Sequence, residues 1–589
     1  MTKILINHMG YGSTDGKRAV YQGYKDDRAG GFAIVDAGGA KVFAGTAKEC
    51  GPVARWNTGY YWTMDFSALT AQGTYVIELN TTDGLVTSEP FEVCGDLRRM
   101  RLISGLLYYF KAQRASGEWD YEDARLGFSG DREGVADLRG GWYDATGDYG
   151  IHLSHLSHST YYNPQQAAMS AYTFLKAVEL LEKYGSMQYS MVKLRLLDEG
   201  MFGADFIMRR RAPSGSFFRN IRRGHALEDS IAGTRNIGFD YHGSSDQFSD
   251  VAATADMETV TDEYYETSLR SGGGTAIAAL AAASRQCYPG TAFSQQEYIQ
   301  TAKSAWRFLE KNNERYTNDG KWNLVDEYCS LLALIELYKS THEYAYYHSA
   351  KDMARRIMAR MVPQEDNLSR LDVEEGIPFH HPSDEGLPVV ALLDYADIEP
   401  DEAAKQAVVA ACEKLMRYKL KITGDCVNPF NYPRFEHWDW EKSIVRTRFF
   451  FPHSSTVMPW WQGENARIAS LSAAAAALSC KTKDGELAQR LKILAEDQIN
   501  WILGLNPFDS SMVEGFGHNH IQYFFTGRYD FLNCPGGVVN GITSGIDDEE
   551  GIEYVKTPTD EIDDNWRWAE QWISHATWFL YALAVKRER

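Results

Sequence analysis

No uncharged apolar stretch in this chain approaches the ~18 residues that a membrane span requires. Basic residues are in the minority, 60 Lys and Arg against 80 Asp and Glu for a net charge of −20. No extended Lys/Arg run is present either, so a groove for nucleic-acid phosphates is not expected. Cysteine is sparse and scattered: Cys50, Cys94, Cys287, Cys329, Cys412, Cys426, Cys480 and Cys534 include no C-x-x-C pair. That removes the usual structural-zinc and dithiol motifs and leaves free thiols suited to a reducing compartment. The opening MTKILINHMGYG has no apolar segment of signal-peptide length, so a cytoplasmic protein is expected. No period of about 34–47 residues recurs, which argues against a helical solenoid.

What is present falls into two patterns. Residues 3–95 hold about seven short alternating runs, among them KILINHMGY, RAVYQGY, GGFAIVD and GTYVIEL, separated by Gly, Asp and Asn. They predict an immunoglobulin-like β-sandwich over residues 1–96, without the Cys–Trp–Cys spacing of antibody domains. From residue 97 to 589 the period is helical. Twelve helices are expected, at 98–114, 164–185, 186–210, 262–285, 294–312, 323–340, 342–361, 384–396, 400–421, 463–479, 484–504 and 565–586. Their small-residue faces and intervening long loops suggest six helical hairpins closed into an (α/α)6 toroid. Stretches 115–163, 212–261 and 505–564 are too long to be spacers and are the expected site-building loops.

The stretch GGWYDATGD, residues 140–148, sets Asp144 and Asp148 four positions apart beside Trp142 and Tyr143. Close carboxylates repel, so such a pair is rarely built for stability. Aromatic faces suit a sugar ring, and two acids beside them suit glycosidic hydrolysis: one activates water while a distant acid protonates the leaving oxygen. The alternative is a surface Asx-rich loop with an incidental Trp. The best distant acid is Glu570, the only acidic residue between Asn565 and Arg587. On a helix it sits one turn from Trp566 and is flanked in sequence by Trp568 and Trp572, where lost hydration favours the neutral, proton-donating form. The alternative is a solvated Glu paired with Arg567. Nine of the 15 Trp lie between Trp438 and Trp578, which fits either carbohydrate stacking or core filling.

These residues resemble glycoside hydrolase family 9, the inverting family that includes many cellulases. NHMGYGSTDGKRAV (7–20) is similar to the opening of the immunoglobulin-like domain that precedes many of these catalytic domains. GGWYDATGDYG resembles the family signature GGWYDAGDY, and ILGLNPFDSSMVEGFGHN (502–519) its LG-x-NP…S-x-V-x-GFG segment. The resemblance spans nearly the whole chain. It implies that Asp148 is the catalytic base, that Asp144 helps hold the water, and that Glu570 is the general acid. It implies an oligosaccharide as the binding partner, and no cofactor is expected. Nothing specifies an oligomeric state.

Two departures stand out. Thr146 is an extra residue, so the Asp spacing is four rather than three. The P-x-x-P-H-H-R stretch that grips a glucan chain is replaced by GHNHIQYFFTGR (517–528), where His518, His520 and Arg528 are the polar candidates. Together with a cytoplasmic placement, these departures resemble an exo-β-D-glucosaminidase subgroup that releases glucosamine from chitosan- or chitin-derived oligosaccharides. The alternative is a β-1,4-endoglucanase or an exo-β-glucosidase on cello-oligosaccharides. In the subgroup HHPSDEGLP (380–388), FFFPHSS (449–455) and WWQGENAR (460–467) are expected to line the site. A glucosamine ammonium needs a carboxylate, for which Asp384, Glu385 and Glu464 are the candidates. All three could equally be acids at helix N-terminal turns. Trp460, Trp461 and Trp566 are candidate sugar platforms, although one of an adjacent Trp pair usually faces the core. Metal ligation is not expected. His152, His155 and His158 drift around a helix axis rather than converging, and DEYYE (262–266) lacks calcium-loop spacing.

Overall fold

Alternation in the N-terminal strands has two destinations. The computed structural model describes residues 2–130, 132–146, 152–153, 165–182, 189–223, 235–238, 261–317, 319–438, 444–452, 461–530 and 533–585. Strands β1 (Lys3–Leu5), β2 (Tyr11–Gly12), β3 (Arg18–Gly23), β4 (Ala29–Asp36), β5 (Lys41–Thr46), β6 (Lys48–Gly51), β7 (Tyr60–Asp65), β8 (Gly73–Thr81), β9 (Gly84–Thr87) and β10 (Phe91–Cys94) form two sheets. One runs β1-β3-β7-β6, and the other runs β2-β10-β8-β4-β5 with β9 on β8. Successive side chains point to opposite faces. Ile4, Tyr21 and Trp62 therefore enter the sandwich core with Ile34, Ile77 and Phe91. Leu5, Val20 and Tyr61 face the other way and join the core of the helical domain.

That seam is fixed by polar contacts as well. Asn7 Nδ2 donates to Asn500 Oδ1 at 2.7 Å, Arg18 pairs with Asp497, and Arg98 pairs with Asp15 at 2.5 Å. Trp56 packs among Phe430, Phe449, Phe450 and Trp501.

The helical domain begins with α1 (Leu97–Gln113) and a short α2 (Glu118–Asp123). It continues with α3 (Ala167–Glu182), α4 (Ser190–Arg209), α5 (Gly274–Ala283), α6 (Gln295–Tyr316), α7 (Leu324–Thr341), α8 (Tyr344–Ala359), α9 (Leu387–Ile398), α10 (Glu402–Gly424), α11 (Asn465–Lys481), α12 (Gly485–Ile502), α13 (Trp566–Ala569) and α14 (Ile573–Ala584). Helices α3, α5, α7, α9, α11 and α14 pack in a closed ring, each on the next, and α14 returns to α3. Helices α4, α6, α8, α10, α12 and α1 back them from outside, one per inner helix. This is an (α/α)6 toroid. The inner helices are apolar nearly all round, as GTAIAALAAA and SLSAAAAAL show, because they are covered on both sides. The outer α6 and α8 keep one polar, exposed face.

Two expected helices differ. Segment 262–285 is a 3-10 turn at Asp262–Tyr265, a π turn at Leu269–Gly273, and only then α5. Ser268 caps that start in a reciprocal box with Ser271, which redirects the chain before the apolar run. Segment 565–586 is broken between α13 and α14, with direct consequences for Glu570. Among the described residues no helix is long and apolar enough to cross a membrane.

Candidate active site

Every inner helix starts at the same end of the toroid. Gln165 and Gln166 precede α3, Arg270 precedes α5, Asn323 precedes α7, Asp384 and Glu385 precede α9, Glu464 precedes α11, and Trp572 precedes α14. Helix N-termini carry partial positive charge, so this end favours carboxylates. Close approach there requires missing side chains: a Cβ on Gly386 would lie 2.1 Å from Ser470 O, and one on Gly463 2.1 Å from Asn540 O.

Asp144 and Glu570 meet through backbone pairing. Ala145 bridges Trp572 antiparallel, Val539 bridges Gln571, and Val513 bridges Val538. Irregular strands from the signature loop, the α13–α14 break and the GFG segment thus lie side by side. Ile573 N donates to Asp144 O at 3.0 Å, Thr146 N to Gln571 O at 3.0 Å, and Asn540 N to Glu570 O at 2.8 Å. Glu570 therefore does not ride on a continuous helix. It closes α13 with extended backbone (φ −65°, ψ 136°), and the helix gives way so that residues 570–572 can pair on both sides. Its side chain is half-buried. Asp148 falls outside the described residues, as do His155, His158 and Trp460.

Asp144 is buried, and its Oδ1 accepts from Gln166 Nε2 at 2.5 Å and Trp572 Nε1 at 3.3 Å. Tyr109 donates its hydroxyl to Gln571 O at 2.8 Å. Burial pushes that phenol well above its ordinary range, and Cys534, Asp144 and Glu570 add to the rise. The extra residue Thr146 ties the two strands together, its hydroxyl donating to Gln571 Oε1 at 2.8 Å, next to Glu570. His575 accepts the Ala466 N–H on Nδ1 at 2.7 Å and so donates from Nε2 to Asn540 Oδ1 at 2.8 Å. Burial drives its pKa down to about 3, so it is a neutral pin between α11, α14 and the 540 segment. Tyr109, Gln166, Asn540, Gln571 and His575 carry no motif of their own, and nothing in the sequence marks them as site residues.

Several expected contacts are corrected by the geometry. Trp142 is fully buried among Phe110, Phe174 and Phe202, with its N–H on Glu199 at 3.1 Å, so it is a core side chain and not a sugar platform. Tyr143 is buried too. His518 lies at the seam with the sandwich, stacked on His8 at 3.5 Å. The three acids considered for an ammonium are engaged within the protein. Asp384 accepts from Ser383 Oγ at 2.6 Å, Trp578 Nε1 at 2.8 Å and Gln165 N at 3.1 Å. Burial raises its pKa to about 6. Glu464 is paired with Arg467 at 2.5 Å and accepts from Phe451 N at 2.6 Å; burial raises it to about 7 despite the guanidinium. Glu385 pairs with the same Arg467 at 3.0 Å and with Lys419, beside a cavity of about 70 Å³ whose wall includes Leu415, Tyr418 and Glu436. Of the candidate platforms, Trp461 and Trp566 are half-buried and hold Arg567 between them, its guanidinium 4.8 and 4.4 Å from the two rings. Arg567 therefore faces indoles.

Residues 101–529 match the model of glycosyl hydrolase family 9, and residues 1–83 match the cellulase N-terminal ig-like domain. The chain belongs to glycosyl hydrolase family 9. This family 9 enzyme hydrolyses glycosidic bonds. Its fold is shared by a metagenome-derived family 9 endoglucanase (TM-score 0.66, 19% identity, covering 99% of this chain and 98% of that one). A family 9 protein of Bacteroides ovatus is similar (TM-score 0.64, 19% identity, 99% and 98% covered). So is a single mutant of a thermostable endoglucanase from Alicyclobacillus acidocaldarius (TM-score 0.62, 15% identity, 99% of each chain). No curated protein matches the chain.

Proposed function

We propose that this family 9 enzyme is an inverting hydrolase of β-1,4-linked glucan oligosaccharides, with Glu570 as general acid, Asp148 as base and Asp144 as the partner that holds the attacking water. The pairing of the Asp144 segment with the Glu570 segment carries the reading, because it joins two carboxylates from opposite ends of the domain. In a single displacement Glu570 protonates the leaving oxygen while the base takes a proton from water on the other face of the sugar. That requires the acid and base carboxyls roughly 6.5–9.5 Å apart. A glucan is favoured over an aminosugar by the state of Asp384, Glu385 and Glu464, each already bonded within the protein. Two of the proteins that share this fold are endoglucanases, and another was solved with a cellobiose-like isofagomine.

The second reading is an exo-β-D-glucosaminidase. It is supported by Thr146, the extra residue that widens the Asp144–Asp148 spacing to four and bonds to Gln571, and by GHNHIQYFFTGR in place of the chain-gripping motif. Product analysis separates the two: cellotriose and chitosan disaccharide are supplied in parallel and the product anomer is followed by NMR. Release of the inverted anomer from cellotriose supports the first reading. Release of glucosamine alone supports the second. Retention of configuration sinks both.

A further inference from the structure

Asp144 is 2% exposed and takes two N–H donors on one oxygen, from Gln166 and Trp572. Such donors favour the ionised carboxylate. An ionised carboxylate only accepts, which fixes the orientation of the Gln166 amide: its NH2 faces Asp144 and its Oε1 faces away. Gln166 is itself 0% exposed, and Oε1 is buried with no hydrogen-bond partner among the described residues. A buried acceptor left unpaired costs the desolvation of that group, so this position suits a donor that enters the site. The backbone of Gln166 is equally constrained, since its carbonyl accepts from Ser170 N at 2.8 Å as the first bond of α3. The side chain is therefore anchored to an inner helix and not to a loop.

We propose that Gln166 is a positioning residue of the hydrolytic site. Its amide N–H holds Asp144 in one orientation and in its ionised form, and its amide oxygen receives an O–H of the water that Asp144 holds. The proposal rests on the functional reading above. Its neighbour Gln165 serves the adjacent station, giving its backbone N–H to Asp384 Oδ2 at 3.1 Å and its side-chain N–H to Arg270 O at 2.5 Å. The N-terminus of α3 thus grips two buried acids in succession. Among the described residues, Asp144 shares the electrostatic surroundings of Tyr109 on α1 with Glu570 on the paired strand and with Cys534, whose N–H donates to Gln571 Oε1.

The test titrates Asp144 directly, so that it does not depend on turnover. Infrared difference titration of full-length enzyme, with the band assigned by Asp144→Asn, is run on wild type, Gln166→Leu and Gln166→Glu. Loss of the donor in Gln166→Leu should raise the Asp144 midpoint by about one pH unit. Gln166→Glu, nearly isosteric and therefore foldable, should raise it further, because two close carboxylates share a proton. In both variants kcat on the productive oligosaccharide should fall about tenfold or more with KM nearly unchanged, as expected for a group acting through the catalytic acid–base step. An unmoved midpoint in both variants overturns the proposal. A loss of kcat without a midpoint shift overturns it as well, because a merely structural role gives that result. If wild type cleaves no β-linked oligosaccharide, the functional reading falls, and the titration still decides the Gln166 contact.

Discussion

Ala145 lies opposite Trp572 in an antiparallel bridge, and this one pairing sets Asp144 and Glu570 on adjoining strands at the open end of the toroid. It also explains why the last helical run is interrupted. A continuous helix would keep the N–H and C=O groups of residues 570–572 for itself, leaving none to pair with 144–146 or 539–540.

Removing either carboxylate should abolish most of the chemistry. Glu570→Gln and Asp144→Asn are expected to lower kcat by roughly 10²–10⁴-fold, the range for positioned acid–base groups. Steady-state kinetics on the productive oligosaccharide, with circular dichroism to confirm folding, checks this. An activated leaving group such as a dinitrophenolate should rescue Glu570→Gln and not Asp144→Asn, since it departs without a proton.

Thr146→Val keeps the shape of the residue and deletes the hydroxyl bonded to Gln571. A stability loss of about 1 kcal/mol is expected for one such hydrogen bond. The catalytic loss should be larger in proportion, about tenfold in kcat, if the bond aligns the two carboxylate-bearing strands. Chemical denaturation and kcat measured on the same preparations separate the two effects.

Arg467 is fully buried between Glu385 and Glu464. Arg467→Met should destabilise the protein by about 3–5 kcal/mol, because two acids are left buried without their shared cation. Adding Glu464→Gln to that background should recover part of the loss. Melting temperatures of the single and double variants are the measurement.

One part of the pH dependence of stability follows from Asp384, whose pKa is raised by burial from 3.8 to about 6. Between those values the native state holds a proton that the unfolded chain has released. Its contribution to stability therefore falls as pH rises from about 4 to 6 and levels off above, with the protonated form favouring the fold at the acid end. Asp384→Asn should flatten that part of the melting-temperature profile. An unchanged slope would remove Asp384 as its source.

Much of the molecule is legible in the sequence because it depends on neighbours along the chain. Alternation at period two marks the sandwich strands, and the 3.6-residue period marks the helical runs that close into the toroid. The GGWYDATGD stretch suggests its chemistry through residue types, and the GFG stretch through its resemblance to a family segment. Trp142 misleads for a local reason: an indole beside two acids looks the same from sequence whether it faces a sugar or Phe110 and Phe174. Glu385 and Glu464 are ambiguous in the same way until Arg467 is placed between them.

By itself, the sequence determined the periods, the two-part organisation and the chemical types at the site. The tertiary structure decided which of those groups meet. Thr146 and Gln571 are 425 positions apart, and Gln166 reaches Asp144 from the start of an inner helix. Such contacts exist only once the ring of helices has closed, because closure brings six helix starts and the loops between them to one end.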